Sequence, residues 1–197
     1  SPYATAEAVD VIARMKAIAP PYVRIQRIQR DIPVPLIEAG VDKGHLRELV
    51  KERMKELGTS CGCIRCHEVG LMGIASYDAE EARPGELAYE ASGGLEHFLT
   101  FALPERGALI GYVRVRIGDG PVAIIRELKV FGRTVPLDSE GEGWQHHGFG
   151  RQLVARAEEL ARKEGCTGIR VTSGVGVRRY YASLGYRRDG VYMSKQL

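Results

Sequence analysis

The sequence predicts an α+β fold: a mixed sheet with an antiparallel centre and flanking helices, preceded by a helical segment and a cysteine-rich loop. Three observations carry this. Four strand-like runs follow one another between residues 87 and 131, separated by turn residues. A glycine-containing loop, Trp144-Gln145-His146-His147-Gly148-Phe149-Gly150-Arg151, then opens into an amphipathic run over residues 152–164. Upstream, Cys61, Cys63 and Cys66 fall within six residues.

The first segment reads as a helix over residues 4–19. Ala8, Val11, Ile12, Met15 and Ile18 recur at three- and four-residue spacings on one face, and Pro20-Pro21 stops it. Alternation in Val23, Arg24, Ile25 and Gln26 predicts a short half-buried strand. Arg14, Lys16, Arg24, Arg27 and Arg30 form a run of bases with no acid between residues 11 and 30. A solvated structural face and a phosphate-contacting strip both account for that run. A second helix is expected over residues 42–57, N-capped by Asp42 and closed by Gly58, with Leu46, Leu49, Val50 and Met54 as its apolar face. Glu48–Lys51 and Glu52–Lys55 spacings predict an ion-paired solvent side.

Cys61-Gly62-Cys63-Ile64-Arg65-Cys66-His67 brings three thiols into a run that can converge on one soft cation, with Gly62 allowing a tight fold. Zinc is the first expectation, since its sites are tetrahedral with nitrogen and sulfur ligands; an iron–sulfur cluster is the weaker alternative. His67, His45 and His97 are candidates for a fourth ligand. Such clustering points to metal binding in a reducing cytoplasm rather than a disulfide framework, and the distant Cys166 reads as packing.

Residues 64–74 are expected to be partly extended, and the polar run at Glu80, Glu81, Arg83 and Pro84 marks a boundary. Residues 87–91 and 96–101 form a hairpin across Ser92-Gly93-Gly94, followed by strands at 108–117 and 122–131. After the glycine loop, Leu153, Ala157, Leu160 and Ala161 give the helix its apolar stripe. A buried strand at 169–172, a short helix carrying Tyr180 and Tyr181, and a closing strand at 186–193 complete the order.

Composition restricts the function classes. With 44% apolar and 27% charged residues the chain is that of a globular protein. It holds no apolar run near the ~20 residues of a membrane span and no leader-like start. A chain opening on Ser-Pro rather than Met is expected to be an excised fragment. The net charge of +3 does not by itself argue for nucleic acid.

The first N–H groups of a helix have no intrahelical partner and sit at its positive end, so the loop before residue 152 suits an anion. Gln145-x-x-Gly148-x-Gly150 is neither the dinucleotide fingerprint nor a Walker loop. It resembles the pyrophosphate loop of the GNAT acetyltransferases, which cradles coenzyme A. That resemblance implies a splayed strand over residues 124–130 whose free backbone groups pair with the pantetheine arm. Glu127 lies where such folds often place a general base, and a plain salt bridge accounts for it equally. Of Tyr180 and Tyr181, one is suited to protonate a leaving thiolate and the other to pack on the sheet. Arg178, Arg179, Arg187 and Arg188 are candidates to flank cofactor phosphates or to meet RNA.

Residues 20–33, His45 to Leu49, Arg126-Glu127-Leu128, Trp144 to Gly150, and Ser173-Gly174-Val175-Gly176 through Tyr180-Tyr181 together resemble the catalytic subunit of Elongator. That family of tRNA uridine carboxymethyltransferases joins a radical S-adenosylmethionine domain to a GNAT-type domain. The resemblance implies a remnant of the radical barrel at 1–58, a cysteine-rich zinc linker at 59–73 and an acetyl-CoA-binding domain at 74–197. Glu127, Leu128, Lys129, Val130, Phe149, Gly150, Arg151 and Tyr181 match positions that contact acetyl-CoA, with Gln145 and Gly148 completing the loop. The three cysteines are similar to a zinc site of prokaryotic members. The implied reaction carboxymethylates C5 of the wobble uridine in the tRNA anticodon region, with hydrolysis of the thioester. His146, His147 and Glu127 are candidate bases for water. The iron–sulfur cluster and S-adenosylmethionine belong to the upstream barrel, so this segment alone is expected not to generate a radical. A protein or small-amine N-acetyltransferase and a non-catalytic zinc-containing RNA-binding module are the other readings. The oligomeric state is left open.

Overall fold

The computed structural model describes residues 2–30, 32–132 and 148–197. The chain divides into two compact units, residues 1–67 and 68–197.

The first unit holds α1 (Thr5–Ala17), α2 (Leu46–Glu56) and the short α3 (Ile64–His67). Glu7 accepts a hydrogen bond from the Ala4 N–H at 2.8 Å and so satisfies a donor at the start of α1. Its core gathers Ala13, Leu46, Val50, Met54, Cys61 and Cys63, walled by Val9, Ile12, Ala17, Ile25 and Ile28. The buried face of α1 differs from the one periodicity predicts. Val11, Met15 and Ile18 are 43%, 61% and 82% exposed, while Ala13 and Lys16 are buried. The helix carries a second apolar stripe through Val9, Ile12, Ala13 and Ala17, and the small Ala13 side chain suits it to close approach by α2. Arg53 of α2 donates to Asp10 of α1 at 2.6 and 2.8 Å, and Arg14 donates to the same carboxylate at 2.7 Å.

Two further expectations fail in this unit. Residues 23–26 form no strand; instead the Val23 carbonyl accepts the Ile64 N–H at 2.9 Å, a single bond without a ladder. Helix α2 starts at Leu46 rather than after Asp42, whose carboxylate accepts the Thr5 hydroxyl at 3.3 Å.

The second unit is one seven-stranded sheet of order β1-β2-β3-β4-β5-β7-β6. Its strands are β1 (Arg83–Ala91), β2 (Gly94–Leu103), β3 (Ala108–Ile117), β4 (Val122–Val130), β5 (Gly168–Thr172), β6 (Arg187–Asp189) and β7 (Tyr192–Gln196). All neighbours are antiparallel except β4 and β5. Ser92 and Gly93, at φ 50 and 71, make the left-handed two-residue turn that matches the twist of the β1–β2 hairpin. The expected closing strand is two strands, because Gly190 at φ 59 turns the chain back. Residues 64–74 are extended only at Glu68: α3 ends at His67, Glu68 makes an isolated parallel bridge with Leu109 in which the Val69 N–H donates to the Leu109 carbonyl at 3.1 Å, and turns follow.

Two helices complete this unit, α4 (Phe149–Lys163) and α5 (Arg178–Ser183). The expected stripe on α4 is buried: Leu153 and Ala157 at 0%, Ala161 at 0% and Leu160 at 7% exposure. Arg156 fastens α4 to the sheet by donating to the Thr100 and Gly85 carbonyls at 2.8 and 3.1 Å.

Candidate functional site

The site is set by where two parallel strands stop pairing. Strands β4 and β5 are in register only from Val122↔Gly168 to Ile125↔Val171. Beyond that point β4 keeps β3 on one side, with Glu127 opposite Arg114 and Lys129 opposite Tyr112. Its other edge, from Arg126 to Val130, has no strand partner among the described residues. An edge of unpaired N–H and C=O groups is a template for an extended ligand.

The start of α4 faces this opening. Gly148 is its N-cap at φ 69, a left-handed conformation that favours glycine, and its carbonyl accepts the Gln152 N–H at 3.0 Å. No side chain among the described residues caps the helix. The N–H groups of Gly150 and Arg151, in the first turn, have no acceptor within the helix and suit an anion. Phe149, 3% exposed, anchors the turn against Phe101 and Tyr77, with ring centroids 5.0 and 6.3 Å away. Gly150 is the meeting point. A β-carbon there would lie 2.9 Å from Tyr180 Oη and 3.7 Å from Val130 Cγ2, so β4, α4 and α5 converge on it.

The two tyrosines of α5 differ. Tyr181 is 5% exposed, with its ring edge-on to Tyr180 and Tyr186. Burial pushes its phenol up to about 12. Tyr180 is only half-buried as a residue, yet its hydroxyl is buried without a hydrogen-bond partner among the described residues. Burial raises that phenol too, so it is a protonated donor at neutral pH. Adjacency alone did not separate the pair; their roles diverge because α5 turns one ring inward and the other toward Gly150.

Glu127 is held as an anion. Burial opposes its charge, but the Tyr112 hydroxyl, Lys129 at 3.1 Å and Arg114 at 3.7 Å outweigh that, and its carboxyl falls below the ordinary range. A cleft of about 420 Å³ next to it is lined by Tyr89, Ser92, Glu96, Arg114, Arg126 and Glu127. Glu96, 2% exposed, is paired with Arg126 at 3.0 Å and Arg116 at 3.3 Å. Nothing in the sequence marks Glu96: its place in an alternating strand carries no signal of burial beside two arginines. Leu128, Lys129 and Val130 lie on the open edge, and Arg151 is exposed on the first turn of α4. Gln145, His146 and His147 lie outside the described residues.

The cysteines of the first unit come together. The sulfurs of Cys61, Cys63 and Cys66 all lie within 4.8 Å of one another. Gly62 fits where a β-carbon would lie 3.3 Å from the Ala19 carbonyl oxygen. A hydrogen bond from Cys66 lowers the Cys63 thiol against its burial, and the same bond raises Cys66. Zinc–sulfur bonds of ~2.3 Å in a tetrahedron place sulfurs ~3.8 Å apart, so the three residues fit such an ion. No histidine joins the sulfurs among the described residues. The His67 ring contacts the Cys61 carbonyl at 3.0 Å through Nε2, His45 is exposed, and His97 lies in the sheet with Nδ1 2.9 Å from Glu86. Cys166 is buried, as expected of a packing residue.

Comparison with known proteins agrees with this geometry. Residues 1–56 match the Radical_SAM C-terminal domain, and residues 71–186 match the acetyltransferase (GNAT) family. The chain is 43% identical to Elongator complex protein 3 of Drosophila melanogaster, over 96% of this chain and 36% of that protein. It is 44% identical to the tRNA uridine(34) acetyltransferase of Methanocaldococcus infernus, over 100% of this chain and 39% of that one. A solved structure of the archaeal Methanocaldococcus infernus Elp3 with an N-terminal deletion superposes with a TM-score of 0.88 at 44% identity, covering 99% of this chain and 49% of that one. The chain thus spans less than two-fifths of the length of these two curated relatives. It belongs to the acetyltransferase (GNAT) family, in the form carried by the C-terminal portion of the Elongator complex protein 3 relatives.

Proposed function

We propose that the second unit binds acetyl-CoA and presents its acetyl group for modification of the wobble uridine of tRNA. The supporting observation is the convergence at Gly150 of the open β4 edge, the start of α4 and the Tyr180 hydroxyl. In this reading the pantetheine arm lies along Glu127 to Val130 as an added strand, with its amides paired to the β4 backbone. The pyrophosphate accepts hydrogen bonds from the N–H groups of Gly150 and Arg151, on the turn that Phe149 anchors. Gly150 is needed because any side chain there fills the space between Tyr180 and Val130. Tyr180 donates to the thioester sulfur and supplies a proton to the leaving thiolate when water attacks the carbonyl. Tyr181 holds that ring in place. Glu127, already paired with Lys129 and Arg114, keeps the edge of the cleft ordered rather than accepting a proton.

The acceptor is taken from the M. infernus relative, whose name gives uridine 34 of tRNA. Carboxymethylation at C5 would rest on the radical domain that the N-terminal match points to. The exposed Arg179, Arg187 and Arg188 are basic groups suited to tRNA phosphates. In the first unit, Cys61, Cys63 and Cys66 would hold zinc, supplying three of the four ligands of a tetrahedral site.

Calorimetry with a non-hydrolysable acetyl-CoA analogue tests the donor site, and absence of binding would overturn it. Thioester cleavage that rises on adding tRNA supports the uridine reading. Acetylation of free amines without tRNA would instead favour an amine acetyltransferase.

A further inference from the structure

Lysine is among the residues least often buried, and an ammonium removed from water costs several kcal/mol unless a partner compensates it. Lys16 is nonetheless 4% exposed, on the inner face of α1. No carboxylate pairs with it among the described residues. Its Nζ instead lies 3.4 Å from Cys61 Sγ and 3.6 Å from Cys66 Sγ. The sequence placed Lys16 in a basic run facing solvent or RNA; the fold turns it the other way, into the cysteine cluster.

We propose that Lys16 belongs to the metal site: its ammonium donates to the Cys61 and Cys66 sulfurs, neutralises the cluster, and fastens α1 to the metal loop. This rests on the cysteines holding a divalent metal. Three thiolates around a dication leave one negative charge; Cys66 is exposed, but Cys61 and Cys63 are buried in one core cluster with Ala13, Val50 and Met54. A net charge buried there is costly, and one ammonium cancels it. Charged N–H donors to a thiolate are also stronger than donors to a neutral thiol. A neutral lysine amine bound directly to the metal would leave the negative charge in place, so charge balance favours the ammonium. Partners of this kind orient ligands and commonly account for 10–100-fold in metal affinity. They also lie far away in sequence: α1 is joined to the loop across the whole first unit.

The test measures zinc stoichiometry and affinity by chelator competition in the wild-type chain, Lys16→Met and Lys16→Arg. The expected result is about one zinc per wild-type chain, a 10–100-fold weaker affinity in Lys16→Met, and Lys16→Arg within a few-fold of wild type. With cobalt(II) in place of zinc, the ligand-field bands of Lys16→Met should keep their positions. Unchanged affinity in Lys16→Met overturns the assignment, as does a band shift showing that a metal ligand has been lost. Wild-type protein without metal overturns the metal site itself, a result distinct from either. Amine-reactive labelling of the wild type gives a readout that does not depend on the variants folding. Lys16 should resist acylation with zinc bound and react after chelation, and equal reactivity in both states overturns the proposal.

Discussion

Gly150 and Tyr180 exclude one another's growth: a β-carbon on Gly150 would stand 2.9 Å from Tyr180 Oη. Gly150→Ala should therefore weaken binding of an acetyl-CoA analogue at least about tenfold, with helix content preserved by circular dichroism. Adding Tyr180→Phe removes the clashing oxygen and should recover part of that loss. Tyr180→Phe alone should leave affinity within about threefold and slow thioester cleavage about 100-fold, since it removes a proton donor but not the ring.

Glu127 gives a contrasting outcome. Its carboxyl is ionised well into the acid range and paired with Lys129. A base useful near neutrality needs a pKa near the working pH. Glu127→Gln should thus keep tRNA-stimulated cleavage within about tenfold of wild type. A pH–rate profile of the variant should show the same acid limb as the parent.

Helix α1 offers a test of which face is buried. Met15→Ser, at a position 61% exposed, should change stability by less than about 0.5 kcal/mol in urea melts. Ala13→Leu, at a position with no exposure, should cost about 1–3 kcal/mol by overpacking against the α2 side of the core. The opposite ranking would restore the face that periodicity alone predicts.

Asp10 predicts the acid response of the first unit. Hydrogen bonds from Arg14 and Arg53 lower its carboxyl below the ordinary value. The folded chain then binds its proton less readily than the unfolded chain. Its contribution is complete above the unfolded value near ~4 and is lost as pH falls through the lower folded value. Asp10→Asn should melt lower than wild type at pH 7, and the two melting curves should converge toward pH ~2.

Elements whose pattern is set by local chemistry were legible in the sequence. The hairpin at Ser92-Gly93, the limits of β3 and the inward stripe of α4 follow from turn residues and periodicity. Periodicity misjudged α1 because two apolar stripes compete on one helix, and small residues such as Ala13 decide which packs. Residues 23–26 alternate like a strand, but no partner strand lies beside them among the described residues. At the site, the glycines, the tyrosine pair and the cysteines were visible as residue types. The separate placement of Tyr180 and Tyr181, the burial of Glu96 and the inward turn of Lys16 depend on partners tens of residues away, which no local window contains.

The β4–β5 pairing has a consequence for the order in which the molecule assembles. Strands β1 to β4 meet through successive neighbours, so their contacts are local and close quickly. The parallel pair cannot form until the chain has crossed over through α4 to bring Gly168 back beside Val122. The junction at Gly150, where β4 has parted from β5, should thus form after the β1–β4 meander. A ligand seated between β4 and β5 should accordingly slow unfolding and leave the folding rate nearly untouched.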